Sequence, residues 1–171
     1  MKNGYDYVVV GGGSAGCVIA ARLSEDSAVQ VALIESGPTD DASEVHTPVA
    51  FPQLFKSEHD WDYSSEPEPA LLGRRIYLPR GKVLGGSSSM NAMIYIRGNR
   101  ADYDEWAAEG ATGWSYDELL PYFIKSEANE RGASHFHGAD GPIFVQDGRS
   151  QHPLIDCIIE AFVEAGYPRN D

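Results

Sequence analysis

The sequence predicts an α/β fold: a parallel β-sheet with flanking helices and a long covering segment. Three observations carry this. Tyr5–Val10 (YDYVVV) and Val29–Glu35 (VQVALIE) are short apolar, β-branched runs of the kind found in buried parallel strands. The stretch between them, Ser14–Ser24 (SAGCVIAARLS), places Val18, Ala21 and Arg22 at helical spacing, with small residues toward a sheet. A glycine-rich turn, GGGSAG, joins the first strand to the helix. Strand, glycine turn, helix and strand within residues 5–35 form a βαβ unit, whose crossover is expected to be right-handed.

The glycine turn has a defined chemistry. Gly11, Gly13 and Gly16 satisfy G-x-G-x-x-G, with Ser14 and Ala15 between the second and third glycines. The first glycine permits the tight turn, the second lets the backbone approach a pyrophosphate, and the third lets the helix pack on the sheet. The helix N-terminus offers free N–H groups and a positive dipole end to phosphate. Glu35, followed by Ser36, closes the second strand, where a carboxylate can accept hydrogen bonds from ribose hydroxyls. An acid there disfavours a 2′-phosphate, so NADP is not expected. FAD and NAD fit this loop equally well.

Beyond residue 36 the regular pattern fades. Prolines at 38, 48, 52, 67, 69 and 79 mark residues 36–79 as a covering segment with at most short helices. A stretch this long in a compact domain covers a ligand or an interface. Helices are expected at Asp102–Ala108 and at Tyr116–Lys125. In the second, Ser115 and Glu118 are placed as a capping box and Pro121 is expected to bend or split the helix. Gly141–Gln146 reads as a strand. Pro153–Ala165 reads as an amphipathic helix with Leu154, Cys157, Ile158, Ala161 and Phe162 on one face, closed by Gly166. Residues 1–150 are therefore assigned to a partial dinucleotide-binding domain and 151–171 to the start of a following helical segment. With two clear parallel strands, the chain is expected to be the N-terminal piece of a larger protein.

Composition excludes several classes. A net charge of −13 argues against nucleic acid and anionic lipid as partners. No apolar run reaches the ~18 residues needed to span a bilayer, and the N-terminus lacks the pattern of a signal peptide. Two widely spaced cysteines, Cys17 and Cys157, form no disulfide framework and point to a reducing compartment. His135 and His137, two apart in a loop with no cysteine cluster, give no metal site. They read as polar packing in a turn. Trp61 and Trp106 read as packing residues, the alternative being a cage for a quaternary ammonium.

A second glycine loop follows at residues 80–99, RGKVLGGSSSMNAMIYIRGN. With Asp104 it resembles a signature of the glucose–methanol–choline (GMC) oxidoreductases through Gly81, Lys82, Leu84, Gly85, Gly86, Ser87, Ser88, Met90, Asn91, Tyr95 and Gly98. WDYSSEPEP (61–69), GWSYDELLPYF (113–123) and FHGADGPIFV (136–145) fit the same family, so the resemblance covers nearly the whole chain. The branch it resembles is that of the bacterial choline dehydrogenases and related FAD-dependent alcohol dehydrogenases.

The resemblance implies a Rossmann-like FAD-binding domain with FAD held across two loops. Gly11, Gly13, Ser14, Ala15, Gly16, Glu35 and Ser36 would hold the pyrophosphate and adenosine ribose. Arg80, Val83, Gly86, Ser87, Asn91, Ala92, Met93 and Ile94 would lie along the flavin, in the second motif at 80–104. Leu78 stands where some members carry the histidine that tethers FAD, so FAD is expected to be non-covalent. The family's catalytic histidine lies beyond Asp171, and no catalytic residue is assigned within the chain. The activity implied is oxidation of a primary alcohol, choline-like or another small alcohol, to an aldehyde by hydride transfer to flavin. The electron acceptor would be oxygen or a quinone. The location would be cytoplasmic, peripheral to the inner membrane if a quinone is used. The alternatives are a truncated, non-catalytic flavin-binding fragment, inactive by itself, and an NAD-dependent dehydrogenase.

Overall fold

The computed structural model describes residues 4–150 and 152–169. The chain divides into two units, Met1–Ile94 and Tyr95–Asp171.

The first unit opens with the βαβ element. Strand β1 (Tyr7–Val10) leads through the glycine turn to α1 (Ser14–Leu23) and on to β2 (Val31–Ile34). The strands are parallel, in register from Tyr7 opposite Val31 to Val10 opposite Ile34. Both are shorter than the apolar runs. At the start, the Asp6 carboxylate takes the Gln30 N–H in place of a ladder bond. At the end, Glu35 leaves the ladder because its carboxylate turns back onto backbone N–H groups. The sequence predicts buried strands, yet Tyr7, Val8 and Val10 are at least half exposed. Among the described residues β1 pairs with β2 alone, so one edge and much of both faces stay uncovered.

The covering segment is ordered but nearly free of long elements. It holds a one-turn helix α2 (Ser43–His46), a 3₁₀ stretch over Pro48–Leu54, strand β3 (Tyr63–Ser64) and strand β4 (Tyr77–Leu78), antiparallel to β3. Ala50 and Leu54 are buried, and Phe55 packs edge-on against Phe51 and Tyr77. The second glycine loop then enters the core: Val83 is fully buried, and Met90 nearly so. Gly86–Ser89 form a turn of 3₁₀ helix between them.

The second unit contains α3 (Arg100–Ala108), α4 (Tyr116–Ser126), strands β5 (Glu127–Asn129) and β6 (Ile143–Val145), and α5 (Pro153–Glu164). Helix α3 starts two residues before the expected Asp102. The Asn99 side chain accepts the Ala101 N–H at 2.9 Å, and Asp102 accepts the Asn99 N–H at 3.0 Å. Pro121 does not split α4, which runs as one helix from Tyr116 to Ser126. Glu118 accepts the Ser115 N–H at the N-terminus, and Leu120 and Phe123 anchor the helix beside Tyr103. Those anchors offset the one ladder bond that proline removes. Strand β5 has no apolar run of its own and pairs in parallel with β6, which is shorter than the expected 141–146.

Helix α5 ends as its sequence predicts. Gly166 has φ of +95°, its N–H donates to Val163 O, and the Tyr167 N–H donates to Phe162 O. Its apolar face carries Leu154, Ile158 and Phe162, each more than half exposed. Trp106 packs against Tyr103 and Trp114 within this unit.

One buried ionic cluster organises the second unit. The Glu127 carboxylate has no exposed surface and pairs with the Arg97 guanidinium. Its other oxygen is 2.8 Å from Asn129 Nδ2 and 2.9 Å from His137 Nδ1. Burial works to raise the Glu127 carboxyl. The Asn129 and His137 hydrogen bonds and the neighbouring positive charges outweigh it and hold the group below its ordinary range. His137 is thus polar packing in a turn. Among the described residues no three His, Cys, Asp or Glu side chains converge as a metal site.

Candidate dinucleotide site

The two glycine loops meet in the first unit, backbone against backbone. The Gly85 N–H donates to Gly12 O at 2.7 Å, and Gly13 and Gly85 form a parallel bridge. Gly86, with φ of +59°, lies so close that a Cβ on it would sit 2.8 Å from Gly13 Cα. A Cβ on Gly81 would meet the Gly86 carbonyl at 2.2 Å, and one on Gly37 would meet Lys82 O at 2.0 Å. These glycines are therefore required by close backbone packing within and between the loops, before any ligand is considered.

A cavity of about 530 Å³ opens where the loops join. It is lined by Val10, Gly11, Gly13, Ile34, Glu35, Ser36, Trp61, Gly81, Gly86 and Ser87. It sits at the carboxyl ends of β1 and β2 and the N-terminus of α1, where open α/β sheets bind ligands. The first turn of α1 leaves its N–H groups without helical partners there.

Glu35 ties this corner together. Its Oε1 accepts the Ser36 and Gly37 N–H groups at 2.9 Å each and the Ser36 hydroxyl at 3.3 Å. Its Oε2 accepts the Gly12 N–H at 2.7 Å, which leaves that oxygen one further lone pair. The Gly37 N–H above all, then those of Gly12 and Ser36, holds the carboxyl below its ordinary range against the opposing effect of burial. Glu35 therefore stays ionised and fixes the first loop. From the other side, Cys17 Sγ donates to Gly12 O at 3.1 Å, which makes the thiol a packing group behind the loop.

The residues singled out from the sequence fall in different places. Gly11, Gly13, Glu35, Ser36, Gly86 and Ser87 line the cavity together. Ser14 and Ala15 lie exposed in the first turn of α1, and Gly16 packs so close to Gly11 O that a Cβ would stand 1.9 Å from it. Arg80 is exposed beside the loop with Nη1 on Pro79 O, while Val83 belongs to the core. Asn91, Ala92, Met93 and Ile94 form an exposed stretch outside the cavity lining. Its turn is set by Met93 at φ of +57° and by Asn91 Oδ1 accepting the Met93 N–H.

Sequence reasoning missed Trp61 and Gly81 as cavity residues. Trp61 stacks on Tyr63 at 5.8 Å, and the Lys82 ammonium stands 5.1 Å from its ring centroid. The signal was available in WDYSSEPEP, but a lone tryptophan in a long loop does not reveal which surface it faces.

Gly13 tests whether a cofactor fits. Its φ of −79° suits any residue. A Cβ there would find nothing nearer than Gly86 Cα at 3.9 Å. Neither backbone conformation nor protein packing requires glycine, yet the position faces the cavity. A Cβ would occupy the space in which a pyrophosphate must approach the backbone.

A βαβ unit with a second loop docked on its glycine turn is the architecture of a dinucleotide-binding flavoenzyme domain. The chain belongs to the GMC oxidoreductase family, whose model matches residues 5–171. It is 47% identical over 175 residues to the mitochondrial choline dehydrogenase of Homo sapiens, covering 98% of this chain and 30% of that protein. Among solved structures it is similar to pyridoxine 4-oxidase from Mesorbium loti, with a TM-score of 0.89 and 40% identity over 96% of this chain and 33% of that one. It is also similar to Aspergillus oryzae formate oxidase, from a study of FAD modification. There the TM-score is 0.85 and the identity 33%, over 96% of this chain and 31% of that one. The chain thus spans about a third of the length of these relatives.

Proposed function

We propose that this chain supplies the FAD-binding part of an oxidoreductase that converts a primary alcohol, choline-like or another small alcohol, to an aldehyde. The observation that carries the reading is Gly13, a cavity-facing glycine that neither a left-handed backbone nor a protein contact requires. Bound FAD supplies the hydride acceptor. The chain's own residues bind and orient. Backbone N–H groups at the start of α1 and the glycine turn face the pyrophosphate. The free lone pair of Glu35 Oε2 accepts a ribose hydroxyl. Trp61, held by Tyr63 and Lys82, walls the same cavity. The exposed stretch Asn91–Ile94 and Arg80 run beside the flavin, with Val83 packed in the core beneath the second loop.

On this reading residues 1–150 belong to the cofactor domain and 151–171 begin the helical segment that follows. Leu78, in β4, offers no nucleophilic atom for a tether, which supports non-covalent FAD. Oxygen or a quinone takes the electrons. Among the described residues no helix is long and apolar enough to cross a membrane. A cytoplasmic location, peripheral to the inner membrane with a quinone acceptor, completes the proposal.

An alcohol panel assayed with an artificial electron acceptor on the full-length protein tests it. FAD-dependent turnover of small primary alcohols is expected. Turnover that depends on NAD and not on FAD would contradict it.

A further inference from the structure

The carboxylate of Asp60 is buried, at 6% exposure, and lies outside the cavity lining. It nevertheless gathers four donors. Oδ2 accepts the Lys56 N–H at 2.8 Å and the Tyr77 hydroxyl. Oδ1 accepts the Arg80 N–H at 3.0 Å and the Asp62 N–H at 3.1 Å. Two of these donors belong to the loop around Asp60. The other two belong to β4 and its exit, about twenty residues later in the chain.

The loop itself is strained. Lys56 and Asp62 have φ of +58° and +50°, conformations that cost a side-chain-bearing residue about 1 kcal/mol each. Such residues persist where their surroundings over-determine them, and the shared carboxylate does so here. Backbone bonds complete the corner. The Trp61 N–H donates to Arg80 O at 2.9 Å, and the Lys82 N–H donates to His59 O at 2.7 Å.

The residues next to this hub are the ones that face the cavity. Trp61 follows Asp60, and Gly81 follows Arg80 and bridges to Asp60. Gly81 abuts Gly86, which abuts Gly13. A shift at the Asp60 corner is therefore transmitted through backbone contacts with no spare room.

We propose that Asp60 is a positioning residue for the cofactor, fixing Trp61 and the Gly81–Gly86 loop at the cavity without touching the ligand itself. The inference rests on the reading of that cavity as the FAD site.

Asp60→Asn and Tyr77→Phe in the full-length protein test it, with three readouts: urea unfolding of the apo-protein, FAD affinity by flavin fluorescence, and visible circular dichroism of the bound flavin. The asparagine cannot accept all four donors, and its affinity is expected to fall by about tenfold or more, with an altered flavin dichroism. Tyr77→Phe keeps the three backbone donors and is expected to weaken FAD several-fold. Wild-type affinity and dichroism in both variants would overturn the proposal, whatever happens to the urea midpoint. If Asp60→Asn fails to fold, Tyr77→Phe decides by the same readouts. If the wild-type protein takes up no FAD, the cofactor reading fails first and the proposal falls with it.

Discussion

Two alanine substitutions separate what the glycines do for the fold from what they do for a ligand. Gly86→Ala puts a Cβ 2.8 Å from Gly13 Cα, whereas ordinary contact begins near 3.4 Å. The loops must part by about 0.6 Å to restore ordinary contact, the difference between those distances. Alanine also enters a left-handed conformation at φ of +59°, at about 1 kcal/mol. With an overpacking cost of about 1–3 kcal/mol, the apo-protein should lose roughly 2–4 kcal/mol. Gly13→Ala has an ordinary φ and no contact nearer than 3.9 Å. Only the weaker preference for alanine at a helix N-cap remains, at most about 1 kcal/mol. Its Cβ enters the cavity, and displacing a phosphate from two N–H donors should cost about 3 kcal/mol, or roughly a hundredfold in affinity. Urea unfolding of each apo-variant of the full-length protein, with FAD titration by flavin fluorescence, reads both effects. The reasoning is refuted if Gly13→Ala binds FAD as the wild type does, or destabilises the apo-protein as much as Gly86→Ala.

Three further outcomes are expected. Glu35→Gln replaces one acceptor oxygen by an amide that faces N–H groups, so FAD affinity measured by titration should fall by about tenfold to a hundredfold. Burial tends to raise the Asp60 carboxyl, but its hydrogen bonds, led by that of Tyr77, hold it at about 2 against an ordinary 3.8. The folded-state value is the lower one, so its stabilisation of roughly 2 kcal/mol is complete above about pH 4 and is lost as pH falls toward 2. The stability gap between wild type and Asp60→Asn, measured by urea unfolding, should shrink over that range. Arg97→Ala strips the buried Glu127 of its guanidinium partner and should cost about 3–5 kcal/mol by urea unfolding.

Much of the site was legible because it is written in backbone requirements. Gly11 and Gly16 announce a turn and a close helix contact wherever they stand, and the acid closing the next strand completes the pattern. The partnership of the two loops was not legible. Gly86 meets Gly13 across 73 residues, and no periodicity encodes such a contact. Gly86 stands in the stretch expected to lie along the flavin, and its first demand is to let one loop lie on the other. Asp60 and Glu127 look like ordinary surface acids in sequence, because burial is decided by distant donors. Helix α4 is not split at Pro121, because the rule about proline is local and the anchoring of α4 by Leu120 and Phe123 is not.

The central claim is that the two loops together hold FAD without a covalent bond. Its most direct test is the absorption spectrum of the purified full-length protein, followed by acid precipitation. A flavin spectrum that moves entirely to the supernatant as FAD, leaving a colourless pellet, is the predicted result. A folded protein that neither retains nor takes up FAD would contradict the claim, and a yellow pellet would contradict its non-covalent part.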